Sequence, residues 1–324
     1  MRLPVPLSGV VPPLCTPLDA AGEVDTRSLA RLVEHVLAAG ASAVFTLGTS
    51  GEAAFLSDAQ RHTALAAVVE AVQGRVPVLA GAIDMTTARV LDRARAAAAL
   101  GADAVVATAP FYAATHPAET ADHFRRLCKG AGVPVIGYDI PSAVHSKLGA
   151  ATVLALAEDG TLAGLKDSSG DLGALRRLLV ALRRRGLDRF AVLTGSELAV
   201  DAALLAGAHG VVPGLGNVDP AGYVRLYEHT RAGRWTEAAA EQDRLAALFD
   251  LVDAGGSGGD ERRFLRPGRL QGGAARAGGH RVPGDGRADA PAARLRREGG
   301  PPGAGGERIG VAARRSGRGR ISPP

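Results

Sequence analysis

A chain of 324 residues has room for one large domain or two ordinary ones, and its composition, 46% hydrophobic but only 4% aromatic, suits a large core built mostly of Ala, Val and Leu. Two cysteines, Cys15 and Cys128, are too few for a disulfide framework and show no metal-ligand spacing. The net charge of +5 is concentrated at one end: residues 255–324 hold 15 Arg, no Lys and 6 acidic residues, a balance of +9, so the remainder carries −4 and excludes a basic nucleic-acid-binding surface there.

Met1 to Pro17 contains one Arg and several prolines but no apolar stretch of the signal-peptide kind. Nowhere does an apolar run reach the ~18 residues of a membrane span, so a cytoplasmic protein is expected.

Short β-rich apolar runs then alternate with longer stretches of helical period, the pattern of βα units around a parallel sheet. The first run, Gly9–Pro13, is followed by apolar spacings of three and four over Leu29–Ala39. The second, Ala43–Leu47, leads into Gly48-Thr49-Ser50-Gly51-Glu52, which is either a simple turn or a grip for a carboxylate made of two hydroxyls and open backbone N–H groups. Ser57 and Gln60 form a capping box that starts a helix over Asp58–Val72.

The third and fourth runs are Val76–Gly81 and Ala104–Ala107. Lys129, beside Gly130, has the position of a cation at a helix C-terminus. The fifth run, Val135–Tyr138, ends on a tyrosine whose hydroxyl either finds an ordinary buried partner or shuttles a proton at the end of a strand. Lys147 follows in a polar loop and reads, like Lys129, as a surface residue.

The third and last lysine of the chain differs. Lys166 ends the sixth run, Leu162–Lys166, which puts it at the C-terminal end of a strand, where barrel enzymes place their chemistry. Desolvation there favours the neutral amine, which attacks carbonyls to form an imine. Read by itself, the same lysine could equally snorkel at the rim or pair with Asp167.

A helical period over Asp171–Arg185, the runs Ala191–Thr194 and Gly210–Val212, and a last helix over Trp235–Leu251 complete the pattern. Gly40, Gly101 and Gly207 stand in three similar segments, each where a helix must stop and a strand begins three residues later. Eight such units predict a closed (β/α)₈ TIM barrel. The alternative, an open doubly wound sheet, lacks its GxGxxG fingerprint after the first strand. The expected domains are a barrel over residues 1–232, a remnant of a C-terminal helical region over 233–254, and a tail over 255–324.

The tail holds 19 Gly among its 70 residues, abundant Arg, Ala and Pro, and no periodicity, so it is expected to be disordered. One reading is a basic arm for nucleic acid or membrane. The other, which its abrupt start favours, is the out-of-frame product of a GC-rich gene.

Taken together, Gly48–Glu52, Tyr138-Asp139-Ile140-Pro141 and Gly164–Asp171 (GLKDSSGD) resemble, in order and spacing, three motifs of the dihydrodipicolinate synthase and N-acetylneuraminate lyase family. The likeness covers roughly Leu7 to Leu251. It implies that Lys166 forms a Schiff base with pyruvate or another 2-oxo acid, and that Thr49 and Ser50 bind the carboxylate with backbone help near Gly195 and Val212. Tyr138 is implied as general acid/base, in a proton relay with Thr49 and with Tyr112 from a neighbouring subunit of a dimer or tetramer. The protonated imine serves as electron sink, so neither metal nor organic cofactor is implied.

Two departures stand out. Dihydrodipicolinate synthases carry an arginine shortly after the Y-N-x-P turn, whereas Ser142-Ala143-Val144-His145 contains none. That favours an aldolase, lyase or dehydratase acting on a sugar-acid-like 2-oxo acid over dihydrodipicolinate synthase proper, with His145 either touching the substrate or lying in an exposed loop. The tail stands where the family continues with helices. A reading from a different class is a catalytically idle, acid-binding barrel whose tail binds nucleic acid.

Overall fold

The computed structural model of the chain describes residues 3–250. Its frame is eight short parallel strands in the order β1-β8-β7-β6-β5-β4-β3-β2. These are β1 (Gly9–Val10), β2 (Val44–Thr46), β3 (Val78–Gly81), β4 (Ala104–Thr108), β5 (Val135–Asp139), β6 (Gly164–Asp167), β7 (Ala191–Thr194) and β8 (Gly210–Val211). The first strand also meets the second: Phe45 N–H donates to Pro12 O and Leu14 N–H to Phe45 O, which closes the ring. A (β/α)₈ barrel results.

The helices between the strands are α1 (Thr26–Ala38), α2 (Asp58–Val72), α3 (Thr87–Ala99), α4 (Pro117–Gly130), α5 (Pro141–Val144), α6 (Ala150–Glu158), α7 (Leu172–Arg184) and α8 (Val200–Ala206); α9 (Pro220–Arg231) and α10 (Trp235–Leu248) follow the last strand. Most begin where a side chain relieves the orphan N–H groups of the first turn. Asp25, Thr86, Asp171 and Asp219 cap α1, α3, α7 and α9, and Ser57 with Gln60 forms the anticipated capping box on α2. Gly40, Gly101 and Gly207 adopt the left-handed backbone at φ of 95°, 98° and 107°.

Predicted boundaries shift where a neighbouring element takes the backbone. The first strand stops at Val10 rather than Pro13, since Pro12 and Pro13 have no N–H to donate. The sixth begins at Gly164 rather than Leu162, because Leu162 N–H closes the end of α6 on Leu156 O. The last helix is described over Trp235–Leu248, and its predicted end, Leu251, lies outside the described residues together with the tail.

Two apolar layers hold the barrel. Leu7, Phe45, Leu79, Val106, Ile136 and Leu193 belong to one buried cluster with Tyr138, while Leu29, Leu65, Val105, Leu127, Leu165 and Leu178 belong to a second that includes helix residues. Alternation along each strand separates the two sets. A third cluster joins α8, α9 and α10 through Val200, Tyr223, Leu226 and Leu245.

Candidate active site

Tyr138 and Lys166 are Cα partners across β5 and β6, so their side chains leave the same face of the sheet. Both are enclosed: Lys166 is 6% exposed and Tyr138 2%. The lysine Nζ lies 3.6 Å from the centre of the Tyr138 ring and 5.3 Å from that of Phe45, whose ring meets Tyr138 edge to face. The alternative of a rim lysine is thereby removed. So is a pairing with Asp167, whose carboxylate accepts from Ser169 N–H at 2.8 Å and leaves the strand on the opposite face.

The Tyr138 hydroxyl meets Thr49 Oγ1 at 3.3 Å. Burial by itself would push this phenol up. The Lys166 charge and hydrogen bonds from Lys166, Thr49 and Ser168 outweigh it and hold the phenol below the usual tyrosine value. Ser168 was not singled out by the sequence reading. Its place is set by Gly195, where any Cβ would overlap Ser168 Oγ.

The loop after β2 carries Thr49 and Ser50. Among the described residues, the N–H groups of Thr49, Ser50 and Gly51 donate to no backbone carbonyl or side-chain acceptor, and Ser50 is half-buried beside Thr49. Successive free N–H groups suit a carboxylate. Arg61 of α2, buried and unflagged by the sequence, supports the loop from behind: it donates to Ala53 O at 2.6 Å and to Gly81 O at 3.1 Å. Desolvation pulls its guanidinium down to about 10.

At Gly195 and Val212, near which backbone help for the carboxylate is expected, the N–H groups are engaged within the sheet. Gly195 N–H donates to Asp167 O at 2.6 Å and Val212 N–H to Thr194 O at 2.8 Å. Both donors extend the sheet ladder. What Gly195 contributes is the space that a missing side chain leaves for Ser168.

A residue the sequence reading passed over follows Gly195. The Glu197 carboxylate accepts from Leu215 N–H at 2.7 Å and from the Tyr223 hydroxyl at 3.3 Å. Burial raises it to about 7, against the lowering effects of those bonds and of Lys166. Its signal in the sequence was an acidic residue just past the seventh strand. Cys15, in the loop after β1, is an inert thiol: burial, with Glu52 and Glu197 adding, pushes it up to about 12.

Tyr112 stands apart from this group. It is 96% exposed and has a strained φ of 79°. His145 is exposed too, at the end of α5, with a φ of 53°. Leu47 and Glu52 flank the Thr49–Ser50 loop at φ of 58° and 56°, so among the described residues four of the five non-glycine residues with positive φ lie in loops that follow strand C-terminal ends. Lys147 lies at the surface, as expected, and its ammonium pairs with the buried carboxylate of Asp139, which burial raises and the Lys147 and Leu148 hydrogen bonds lower. No group of three or more His, Cys, Asp or Glu side chains among the described residues is arranged to hold a metal ion.

This arrangement has relatives. The model of the dihydrodipicolinate synthetase family matches residues 6–256, about three-quarters of the chain. The chain belongs to the dihydrodipicolinate synthetase family. Membership makes it a lyase. It is 38% identical over 242 residues to an uncharacterised DapA-like lyase of Halobacterium salinarum, covering 75% of this chain and 78% of that one. With a 4-hydroxy-tetrahydrodipicolinate synthase of Stenotrophomonas maltophilia it shares 36% over 245 residues, 76% and 81% of the two chains. The dihydrodipicolinate synthase of Bacteroides thetaiotaomicron superimposes with a TM-score of 0.76 at 31% identity, covering 84% of this chain and 88% of that one. Among the described residues, no helix is long and apolar enough to cross a membrane.

Proposed function

We propose that the chain is a Schiff-base lyase acting on pyruvate or a sugar-acid-like 2-oxo acid. The observation that carries this reading is the enclosed amine of Lys166 beside a phenol held below its usual value. In the proposed reaction Lys166 Nζ attacks the 2-oxo carbon, water leaves, and a protonated imine forms. Thr49 and Ser50, with the free N–H groups of their loop, hold the carboxylate. Tyr138, as phenolate, takes the proton from the hydroxyl next to the breaking C–C bond, and the electron pair of that bond moves into the imine to give an enamine. Dehydration uses the same sink after loss of a proton from C3. The imine carries the electrons, so the proposal requires neither metal nor organic cofactor.

Ser142, Ala143 and Val144 supply no cation after the Tyr138–Pro141 turn, and Lys147, further along the loop, is engaged by Asp139. A second substrate with a carboxylate to be held there is therefore disfavoured. That supports cleavage or dehydration of a sugar-acid-like substrate over dihydrodipicolinate synthesis. The exposure and strain of Tyr112 support a homo-oligomer, dimeric or tetrameric, in which Tyr112 completes the relay of a neighbouring subunit; the compartment proposed for it is the cytoplasm.

Borohydride with pyruvate tests the reading directly. Reduction should fix a three-carbon adduct on Lys166, found by peptide mass mapping, and Lys166→Ala should abolish it. An unmodified wild-type chain would overturn the proposal.

A further inference from the structure

Beyond the barrel, one side chain of α10 reaches back to the loop after β7. Gln242, 5% exposed, accepts through Oε1 from Val200 N–H at 2.9 Å and from Asp201 N–H at 3.3 Å. Its Nε2 donates to Glu197 O at 3.0 Å. One amide thus holds both ends of a five-residue segment more than forty residues away in sequence.

The need for it is local. Helix α8 starts from Ala199, which has no side-chain oxygen, and within its own segment Asp201 Oδ1 accepts only Ala202 N–H, at 2.7 Å, which leaves Val200 N–H and Asp201 N–H without a local acceptor. Its first N–H groups would be buried orphans. Gln242 serves as the missing cap from another element and at the same time anchors Glu197.

The anchored segment passes the constraint on. Glu197 receives Leu215 N–H from the loop after β8, and Asn217 in that loop donates to Pro13 O and Gly214 O and accepts from Cys15 N–H at 3.0 Å. Two residues before Glu197 lies Gly195, whose closeness to Ser168 sets a hydroxyl against Tyr138. Bonds with a single geometry therefore run from α10 to the loops after β7, β8 and β1, beside the imine site.

We propose that Gln242 is a positioning residue for the 2-oxo-acid site, holding the Gly195–Asp201 segment in the place that Ser168 and Tyr138 require. This inference rests on the Schiff-base reading above. It gives the helix after the barrel a part in substrate binding that needs no contact with substrate.

The experiment is borohydride trapping across a pyruvate series. The unaltered chain is compared with Gln242→Leu, which removes both contacts, and with Gln242→Glu, which keeps the acceptor for α8 but as a carboxylate cannot donate to Glu197 O. Misplacement by a fraction of an ångström should raise the half-saturating pyruvate concentration about tenfold in Gln242→Leu and less in Gln242→Glu, with Lys166 still fully trapped at saturation. A purely structural role would lower the melting temperature and leave half-saturation unmoved. Half-saturation within twofold of the unaltered chain in folded Gln242→Leu overturns the proposal, and Gln242→Glu decides in the same way if the leucine variant does not fold. Hydrogen exchange on the unaltered chain reads the same link without a substitution: pyruvate should slow exchange over residues 197–201 and at Leu215, and unchanged exchange there also overturns it. Failure of the unaltered chain to trap pyruvate is a separate result, which removes the Schiff-base reading itself.

Discussion

The Lys166 amine rests against the face of the Tyr138 ring, 3.6 Å from its centre, while the hydroxyl of that ring turns to Thr49. The ring and the hydroxyl thus have separable tasks. Tyr138→Phe keeps the surface beside the amine and deletes only the proton carrier. Turnover of a 2-oxo acid should fall ~10²–10⁴-fold, while borohydride still traps pyruvate on Lys166. Turnover within tenfold of the unaltered chain would show that another group moves the proton.

Gly195 and Ser168 are sterically matched. A methyl group at 195 collides with the Ser168 hydroxyl and crowds Ser168 Cβ. Gly195→Ala should therefore cost about 1–3 kcal/mol in urea unfolding, and Ser168→Ala in the same chain should recover part of it. Strictly additive effects of the two substitutions would deny the contact.

Two buried groups pull stability in opposite directions with pH. His123 of α4 is depressed to about 4, chiefly by burial, and its Nε2 has no partner. As pH falls from 6.5 to 4 the unfolded chain takes this proton before the folded one does, so stability is lost towards acid, by up to roughly 3 kcal/mol. Glu197 is raised from 4.5 to about 7, so the unfolded chain ionises first as pH rises and stability is lost across that interval. Urea unfolding from pH 4 to pH 8 should show His123→Gln reducing the acid loss and Glu197→Gln reducing the loss towards neutrality. An unchanged slope in either variant removes the corresponding assignment.

Tyr112 makes its prediction through exposure. A side chain 96% in solvent contributes little to the single-chain fold, so Tyr112→Phe should leave the melting temperature within about 1 °C while turnover falls at least tenfold. Sedimentation should show an oligomer. A monomer with full activity in the phenylalanine variant would leave Tyr112 outside the relay.

Much of this protein was readable from residue order alone, because the signals concerned are local. Strand and helix periods, the Ser57–Gln60 capping box and the glycines at 40, 101 and 207 act within a few residues of themselves. The lysine and tyrosine at strand ends were legible for the same reason, since parallel strands in register bring their C-terminal ends together. What only the folded chain decided involves partners distant in sequence. The ladder takes the Gly195 and Val212 N–H groups, Asp139 engages Lys147, Gly195 leaves room for Ser168, and Gln242 reaches across to α8. Local periodicity follows from backbone geometry and side-chain polarity, whereas each of these contacts depends on where two separate elements stop against one another, and that is set by the packing of the whole barrel.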